Sequence, residues 1–535
     1  MSRQRTASPV RFFIAFAAVF VSLAPIAVAQ AADPVRAEIS RVDAGDRSGP
    51  FKPDWASLGA YRVPEWFRDA KFGIFIHWGV FSVPAFGNEW YPRNMYLQGS
   101  AAFKHHIATY GPQSKFGYKD FIPMFRAEHF DPDAWIDLFA RAGARYIVPV
   151  AEHCDGFAMY DSAIDPWNAA KMGPKRDVVG ELEAATRKRG LHFGVSSHRA
   201  EHWWWYDGGM QFPSDVQDPR YAVLYGPAAP RTLPGEAARR EPDPNHLETW
   251  LAPDRAFTDD WLARSAELVE KYHPDFLYFD WWIGQPAFQP YLQRFAAYYY
   301  NQAAERKQGV VLTYKMEDFP ANAATLDVER GKLDLIRLLP WQTDTSVSIH
   351  SWGYVENDEY RDAKSLIGEL VDVVSKNGNL LLNVGPKSDG TIPHEAREAL
   401  LQMGAWLKTN GEAIYGSRPW LVFGEGPTKV ASSALDTDIQ KFTAEDIRFT
   451  TNHGALYAIA LGRPASGELL LHTLYRTNPY LTGPVCSVEL LGSPSQLTWT
   501  QQDDGLHIRI PASAPDEPAF AFRILAQSGP RCGSA

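Results

Sequence analysis

The chain has 535 residues, of which 45% are apolar and 22% charged, with a net charge of −10. That length exceeds what one ordinary core serves, so two or three domains are expected, and the ordinary apolar share excludes wholesale disorder. No Lys/Arg run lies beyond the N-terminus, which argues against nucleic acid as a partner.

Residues 1–31 read as an export signal. Arg3, Arg5 and Arg11 form a basic start, Phe12 to Ala29 is an apolar stretch interrupted by Pro25, and Ala27-Val28-Ala29 or Ala29-Gln30-Ala31 offers a cleavage site. Cleavage would leave a periplasmic or secreted protein with no membrane attachment, since no later window holds the ~20 apolar residues of a span. Cys486 and Cys532 are the pair expected to bridge in that oxidising compartment, which leaves Cys154 a free, partly buried thiol. Without CxxC pairs a cysteine zinc site is not expected.

From about residue 60 to 415, short apolar runs alternate with amphipathic helical patterns. Strands are predicted at Phe72–His77, Tyr146–His153, Leu191–Ser197, Phe276–Asp280, Val310–Tyr314 and Leu380–Val384. Between them, Asp131-Pro132 opens a helix carrying Trp135, Leu138, Phe139 and Ala142 on one face, and Gly143 ends it. Asp259–Tyr272, Pro290–Arg306, Leu366–Val374 and Pro393–Asn410 follow the same period. Repeated β-then-α order over this length predicts an α/β fold, a (β/α)₈-like barrel spanning 32–417. No GxGxxG follows a strand, so a dinucleotide cofactor is not expected.

Trp203–Phe257 carries many Pro and charged residues without a sustained period and reads as a long excursion on the barrel rim, about 203–257. From 418 to 535 the pattern changes to short alternating runs such as Ala455–Ala460, Glu468–His472 and Leu506–Ile510, which predicts a small β-sandwich. It holds no chemical motif, and a packing role is expected of it.

Chemistry in a parallel barrel collects at the C-terminal ends of its strands. His77, His153, Asp155, His198 and Asp280 all fall there. Asp280 closes the run Phe276-Leu277-Tyr278-Phe279, where an acid is costly to bury unless it is hydrogen-bonded or used. Trp281 and Trp282 beside it supply apolar walls for ionisation control or for stacking a sugar, and the 18 Trp of the chain suit such a surface. A pair of carboxyls about 5–5.5 Å apart would make a retaining glycosidase. Glu305 lies inside a helical pattern and reads as solvated; Glu317 and Glu329 remain as partners, and spacing does not choose between them.

The segment Trp66-Phe67-Arg68-Asp69-Ala70-Lys71-Phe72-Gly73-Ile74-Phe75-Ile76-His77-Trp78-Gly79 resembles the opening strand motif of the α-L-fucosidase family of retaining glycoside hydrolases. Asn88–Tyr91, His153–Phe157, Phe276–Trp282, Ser351–Tyr354 and Asn377–Pro386 agree in order, so the resemblance runs from about Trp66 to Gly416. It implies that His77, Glu89, Trp90 and His153 hold fucose hydroxyls or its apolar face and that Asp280 attacks the anomeric carbon; His198, Trp282 and Trp352 are further candidate binding residues. Asp327–Gly331 and Trp341–Asp344 are similar to a subgroup selective for α-1,3/1,4-linked fucose, which favours Glu329 over Glu317 as acid/base. The implied substrate is a fucosylated glycan, with no cofactor and no metal. At Cys154 the family commonly has a second His; His198 or His202 is expected to take up the vacated space. Two other readings are a metal-dependent barrel hydrolase built on His77, His153 and His198, and a non-catalytic glycan-binding protein. The first lacks H-x-H or H-E-x-x-H spacing.

Overall fold

In the computed structural model, which describes residues 1, 2, 7, 33–232, 246–435, 438–514 and 517–527, eight parallel strands close into a barrel in sequence order. They are β1 (Phe72–Ile76), β2 (Tyr146–Glu152), β3 (His192–Ser197), β4 (Phe276–Phe279), β5 (Val311–Tyr314), β6 (Thr325–Asp327), β7 (Trp341–Ser346) and β8 (Gly378–Val384). β8 pairs with β1 in parallel, which leaves no open edge. The expected export signal, residues 1–31, lies almost entirely outside the described residues, as does Cys532, the expected partner of Cys486. No helix among the described residues is long and apolar enough to cross a membrane.

Six of these strands match the predicted ones; β6 and β7 were not predicted. Each apolar strand alternates. Phe75, Val148, Tyr278 and Leu381 belong to a core inside the barrel, while Ile74, Ile76, Ile147, Leu277, Phe279, Leu380 and Leu382 face the surrounding helices. β6 and β7 read as polar because the residues they bury form a hydrogen-bonded chain. Tyr146 donates to Gln342 Oε1 (2.9 Å), Gln342 Nε2 donates to Asp327 (2.6 Å), and Tyr278 donates to Asp344 (2.9 Å). Buried polar groups are tolerated when paired in this way. Gly73 makes room for the chain's start: a Cβ there would meet the Tyr146 ring at 2.4 Å.

The helices are set by caps. Helix α1 (Pro132–Arg141) begins at Asp131, whose carboxylate accepts from Ala134 N (3.1 Å), with Pro132 in its first turn. α2 (Val178–Lys188), α3 (Arg255–Tyr272) and α4 (Ala363–Ser375) open on Asp177, Asp254 and Asp362 in the same manner. After the barrel, β9 (Arg418–Glu425), β10 (Ile447–Asn452), β11 (Ala455–Ala460), β12 (Glu468–Leu471), β13 (Val485–Leu490), β14 (Thr498–Gln502), β15 (Gly505–Arg509) and β16 (Phe520–Ala526) form two antiparallel sheets, in the orders β13-β16-β11-β10-β9 and β12-β15-β14. Leu456, Ala458 and Ala460 face the second sheet's Leu506 and Ile508, while Tyr457 and Ile459 join the barrel's outer core. Asp372 on α4 ties the two parts together, accepting from Arg448 Nε at 2.6 Å.

Candidate active site

A cavity of about 520 Å³ opens at the C-terminal ends of the barrel strands. Asp280 follows β4 and enters it. His198, just past β3, lies with Nδ1 2.7 Å from Asp280 Oδ2, and the His198 Nε2 contacts Ser196 Oγ at 2.5 Å. Lys315, just past β5, brings its ammonium to 3.4 Å from Asp280 Oδ1. Burial by itself would raise the Asp280 carboxyl; electrostatic attraction from His198 and Lys315 and two hydrogen bonds outweigh it and hold it well below the usual range. Asp280 is therefore held as a carboxylate.

Lys315 is the centre of a larger group. It lies 2.5 Å from Glu329 Oε2, 3.7 Å from Asp344 Oδ2 and 3.9 Å from Asp327 Oδ1. One cation does not neutralise four buried carboxylates, so some must carry protons. Burial, followed by the charges of Asp280 and Asp344, pushes Glu329 up despite Lys315, and burial together with Asp344 pushes Asp327 up further. Asp280 and Glu329 thus sit on one ammonium with their ionisation driven in opposite directions.

His77, Glu89, Trp90, His153, Trp352 and Glu201 also line the cavity. The His77 ring is fixed by Asn383, whose Oδ1 accepts from His77 N (3.0 Å) and Nδ1 (2.8 Å) while its amide donates to Ser346 and to the Trp352 carbonyl. That leaves His77 Nε2 as a free acceptor. Burial, then neighbouring imidazoles, pushes His77 and His153 well down, so both rings are neutral. His153 Nδ1 is buried without a partner. Glu89 accepts from Trp352 N (2.9 Å) and Ser351 Oγ (3.1 Å), which fixes the Trp352 ring against His77 at 5.1 Å between centroids.

Two of the expected residues fall elsewhere. Trp282 does not line the cavity. Its backbone is left-handed (φ 76°), and the turn sends its ring behind the wall, fully buried among Trp204, Trp250 and Phe288; Trp281 takes the place at the rim. Glu317 is exposed in solvent, because the left-handed Met316 (φ 54°) turns the chain so that Met316 lines the cavity instead. Glu305 is exposed on its helix. Of the two histidines expected near Cys154, His198 reaches the cavity, whereas His202 is buried against the Cys154 carbonyl (2.8 Å). The Cys154 thiol donates to Glu201 Oε2 at 3.0 Å. None of the described residues of 203–257 lines the cavity; Trp204 and Trp205 support Trp90 from behind.

Lys315, Glu201, Asp327 and Asp344 were not predicted. Lys315 carries the same signal that exposed Asp280, a charged residue directly closing an apolar strand. Asp327 and Asp344 were hidden with their polar strands. His77, His153 and His198 place ring nitrogens within 4.8 Å of one another, as metal ligands could. However, both His198 nitrogens and His77 Nδ1 are already hydrogen-bonded, so the set lacks three free imidazole lone pairs.

Comparison with known proteins bears on the family and the fold. The α-L-fucosidase family model matches residues 39–412 and that of the α-L-fucosidase C-terminal domain residues 440–525. The chain is 32% identical over 483 residues to tissue α-L-fucosidase of Rattus norvegicus, covering 87% of this chain and 89% of that one. It is 33% identical over 477 residues to plasma α-L-fucosidase of Homo sapiens, covering 86% and 88%. The crystal structure of Thermotoga maritima α-fucosidase superposes with a TM-score of 0.70 at 30% identity, covering 89% of this chain and 100% of that one. The same enzyme has been solved in complex with fucose, at a TM-score of 0.68, 29% identity and coverage of 88% and 99%. The barrel, the sheets that follow it and these likenesses lead to one conclusion: the chain belongs to the α-L-fucosidase family of glycoside hydrolases.

Proposed function

We propose that the chain is an exo-acting α-L-fucosidase that hydrolyses terminal α-L-fucosyl linkages of glycans by retaining double displacement. The observation that carries this reading is the shared contact of Asp280 and Glu329 with Lys315. One oxygen of each lies no farther from the other than the sum of the two contacts to Nζ, which is compatible with the roughly 5–5.5 Å of a retaining pair. Asp280 attacks the anomeric carbon as a carboxylate and forms a fucosyl ester, while Glu329 passes its proton to the leaving oxygen. Glu329 then takes a proton from the water that cleaves the ester, which restores both groups. His77 Nε2, His153 and Glu89 meet the sugar hydroxyls, and Trp90 and Trp352 its apolar face.

The anomer first released from an aryl α-L-fucoside tests the mechanism. Proton NMR should detect α-fucose before mutarotation; β-fucose first would overturn it. Asp280→Asn should bind fucose while losing nearly all turnover, which separates an enzyme from a glycan-binding protein.

The preference for α-1,3/1,4 linkages belongs to the same proposal, supported by the likeness of Asp327–Gly331 and Trp341–Asp344 to the subgroup described above. Fucose release from a panel of α-1,2, α-1,3, α-1,4 and α-1,6 glycans tests it. The proposal also includes the division into an export signal (1–31), a catalytic part (32–417) and a C-terminal part (418–535), with a periplasmic or secreted location. N-terminal sequencing of the protein recovered outside the cytoplasm should begin after residue 29 or 31.

A further inference from the structure

The segment 432–435, in the connection between β9 and β10, leaves the C-terminal sheets and enters the catalytic cavity. It is laced onto the loop that carries Glu329. Lys332 and Ser433 exchange backbone hydrogen bonds of 3.0 Å in each direction, and Leu435 N–H donates to the Glu329 carbonyl at 2.7 Å. Ser432 Oγ donates to Asp334 Oδ1 (2.7 Å) and accepts from Asp334 N (3.0 Å). Gly331 permits the approach, since a Cβ there would lie 2.9 Å from the Ser433 carbonyl. These residues fall between the two family segments, 39–412 and 440–525.

What the segment adds to the cavity is apolar. Ala434 and Leu435 line it together with Met316, Leu326 and Val328, next to Lys315 and Glu329 in sequence or by hydrogen bond. Leu435 and Met316 are 60% and 44% exposed, and both hold left-handed backbones (φ 57° and 54°). It is their grouping in one cavity that is informative, and left-handed backbone at such residues costs energy unless the surroundings impose it. The sugar-side wall is different in chemistry, being built of His77, His153, His198, Glu89 and aromatic rings.

We propose that Met316, Leu326, Val328, Ala434 and Leu435 form the leaving-group subsite, which takes an aglycone presenting an alkyl or aryl surface beside the glycosidic oxygen. This rests on the assignment of Glu329 as general acid: the group that protonates the leaving oxygen must have the aglycone against its flank. An aliphatic wall without donors offers its contact to a hydrocarbon surface, either an alkyl or aryl group or the C–H face of the next sugar of a glycan. The C-terminal sheets therefore do more than pack against the barrel, because they hold one wall of the reaction site.

The test compares Leu435→Gly and Met316→Ser with the parent enzyme on phenyl and 4-alkylphenyl α-L-fucosides and on α-L-fucosyl fluoride, which has no aglycone. Leu435→Gly suits the left-handed backbone and keeps the N–H bond to Glu329, so the segment stays seated. In the parent, kcat/KM relative to the fluoride should rise with alkyl length, and each variant should lower that ratio about tenfold for the longest alkyl group. No dependence on alkyl length, or equal losses on alkylphenyl fucoside and fluoride, would overturn the subsite while leaving the glycosidase intact. A parent enzyme that fails to cleave the fluoride would overturn the fucosidase reading, and the subsite with it.

Discussion

Lys315 holds Glu329 and Asp280 on one ammonium, 2.5 Å from the Glu329 carboxyl and 3.4 Å from that of Asp280. The nearby Asp344 and Asp327 carboxyls close the ring around it. The cation is buried yet stays protonated, because the surrounding carboxylates outweigh the cost of burying it. Lys315→Met should therefore leave uncompensated acids and destabilise the protein by about 3–5 kcal/mol near neutral pH. The deficit should shrink as pH falls and the acids take up protons. Thermal melts of the variant and parent at pH 5 and 7.5 check this, and Lys315→Arg should restore most of the loss.

His198 acts on Asp280 through a hydrogen bond of 2.7 Å. Its charge and hydrogen bond are among the main effects keeping that carboxyl ionised against burial. Removing them raises the Asp280 pKa, so the acidic limb of the kcat/KM profile should move to higher pH in His198→Phe. Hydrogen bonds to charged groups contribute about 1.5–3 kcal/mol, so kcat/KM at the optimum should fall roughly ten- to hundredfold. His198→Asn, which retains a donor, should recover part of it. An unshifted acidic limb would contradict this role.

Asp155 links pH to stability rather than to turnover. Burial pushes its carboxyl from 3.8 up to about 7, against hydrogen bonds from Tyr118 and Phe157 N. The folded form thus binds the proton more tightly than the unfolded chain does. The resulting stabilisation is full below about pH 4 and is lost as pH rises to about 7, by up to roughly 4 kcal/mol. Asp155→Asn should remove this slope, so denaturant midpoints of the parent should fall relative to the variant between pH 4 and 7.

The three cavity histidines give a separate expectation. His77 Nδ1 is committed to Asn383, and both nitrogens of His198 are committed to Asp280 and Ser196. Fucoside hydrolysis should therefore be unchanged after prolonged dialysis against a chelator, and unchanged again on adding zinc at stoichiometric level. Loss of activity with recovery by one metal would favour the metal-dependent hydrolase.

Much of the frame follows from local pattern. Short apolar runs bounded by polar or Gly residues mark six barrel strands, and the acid at Asp131 marks where a helix begins, because both effects act over a few residues. The position of Asp280 at the end of Phe276–Phe279 likewise follows from one short segment. β6 and β7 escaped that logic, since the side chains they bury, Asp327, Gln342 and Asp344, are polar and are satisfied only by partners on other strands.

Tertiary structure alone decided the rest. Glu317 and Glu329 are equivalent in spacing, and a left-handed turn at Met316 sends one into solvent while Lys315 meets the other. Trp281 and Trp282 are adjacent and chemically alike, yet one backbone angle decides which reaches the cavity. The contact of 432–435 with the Glu329 loop joins residues such as Asp334 and Ser432, 98 positions apart. Residue types and order established the family's chemistry here. Which side chains share one cavity was decided by closure of the barrel and docking of the C-terminal sheets, where burial and long-range hydrogen bonds act between segments that carry no local sign of one another.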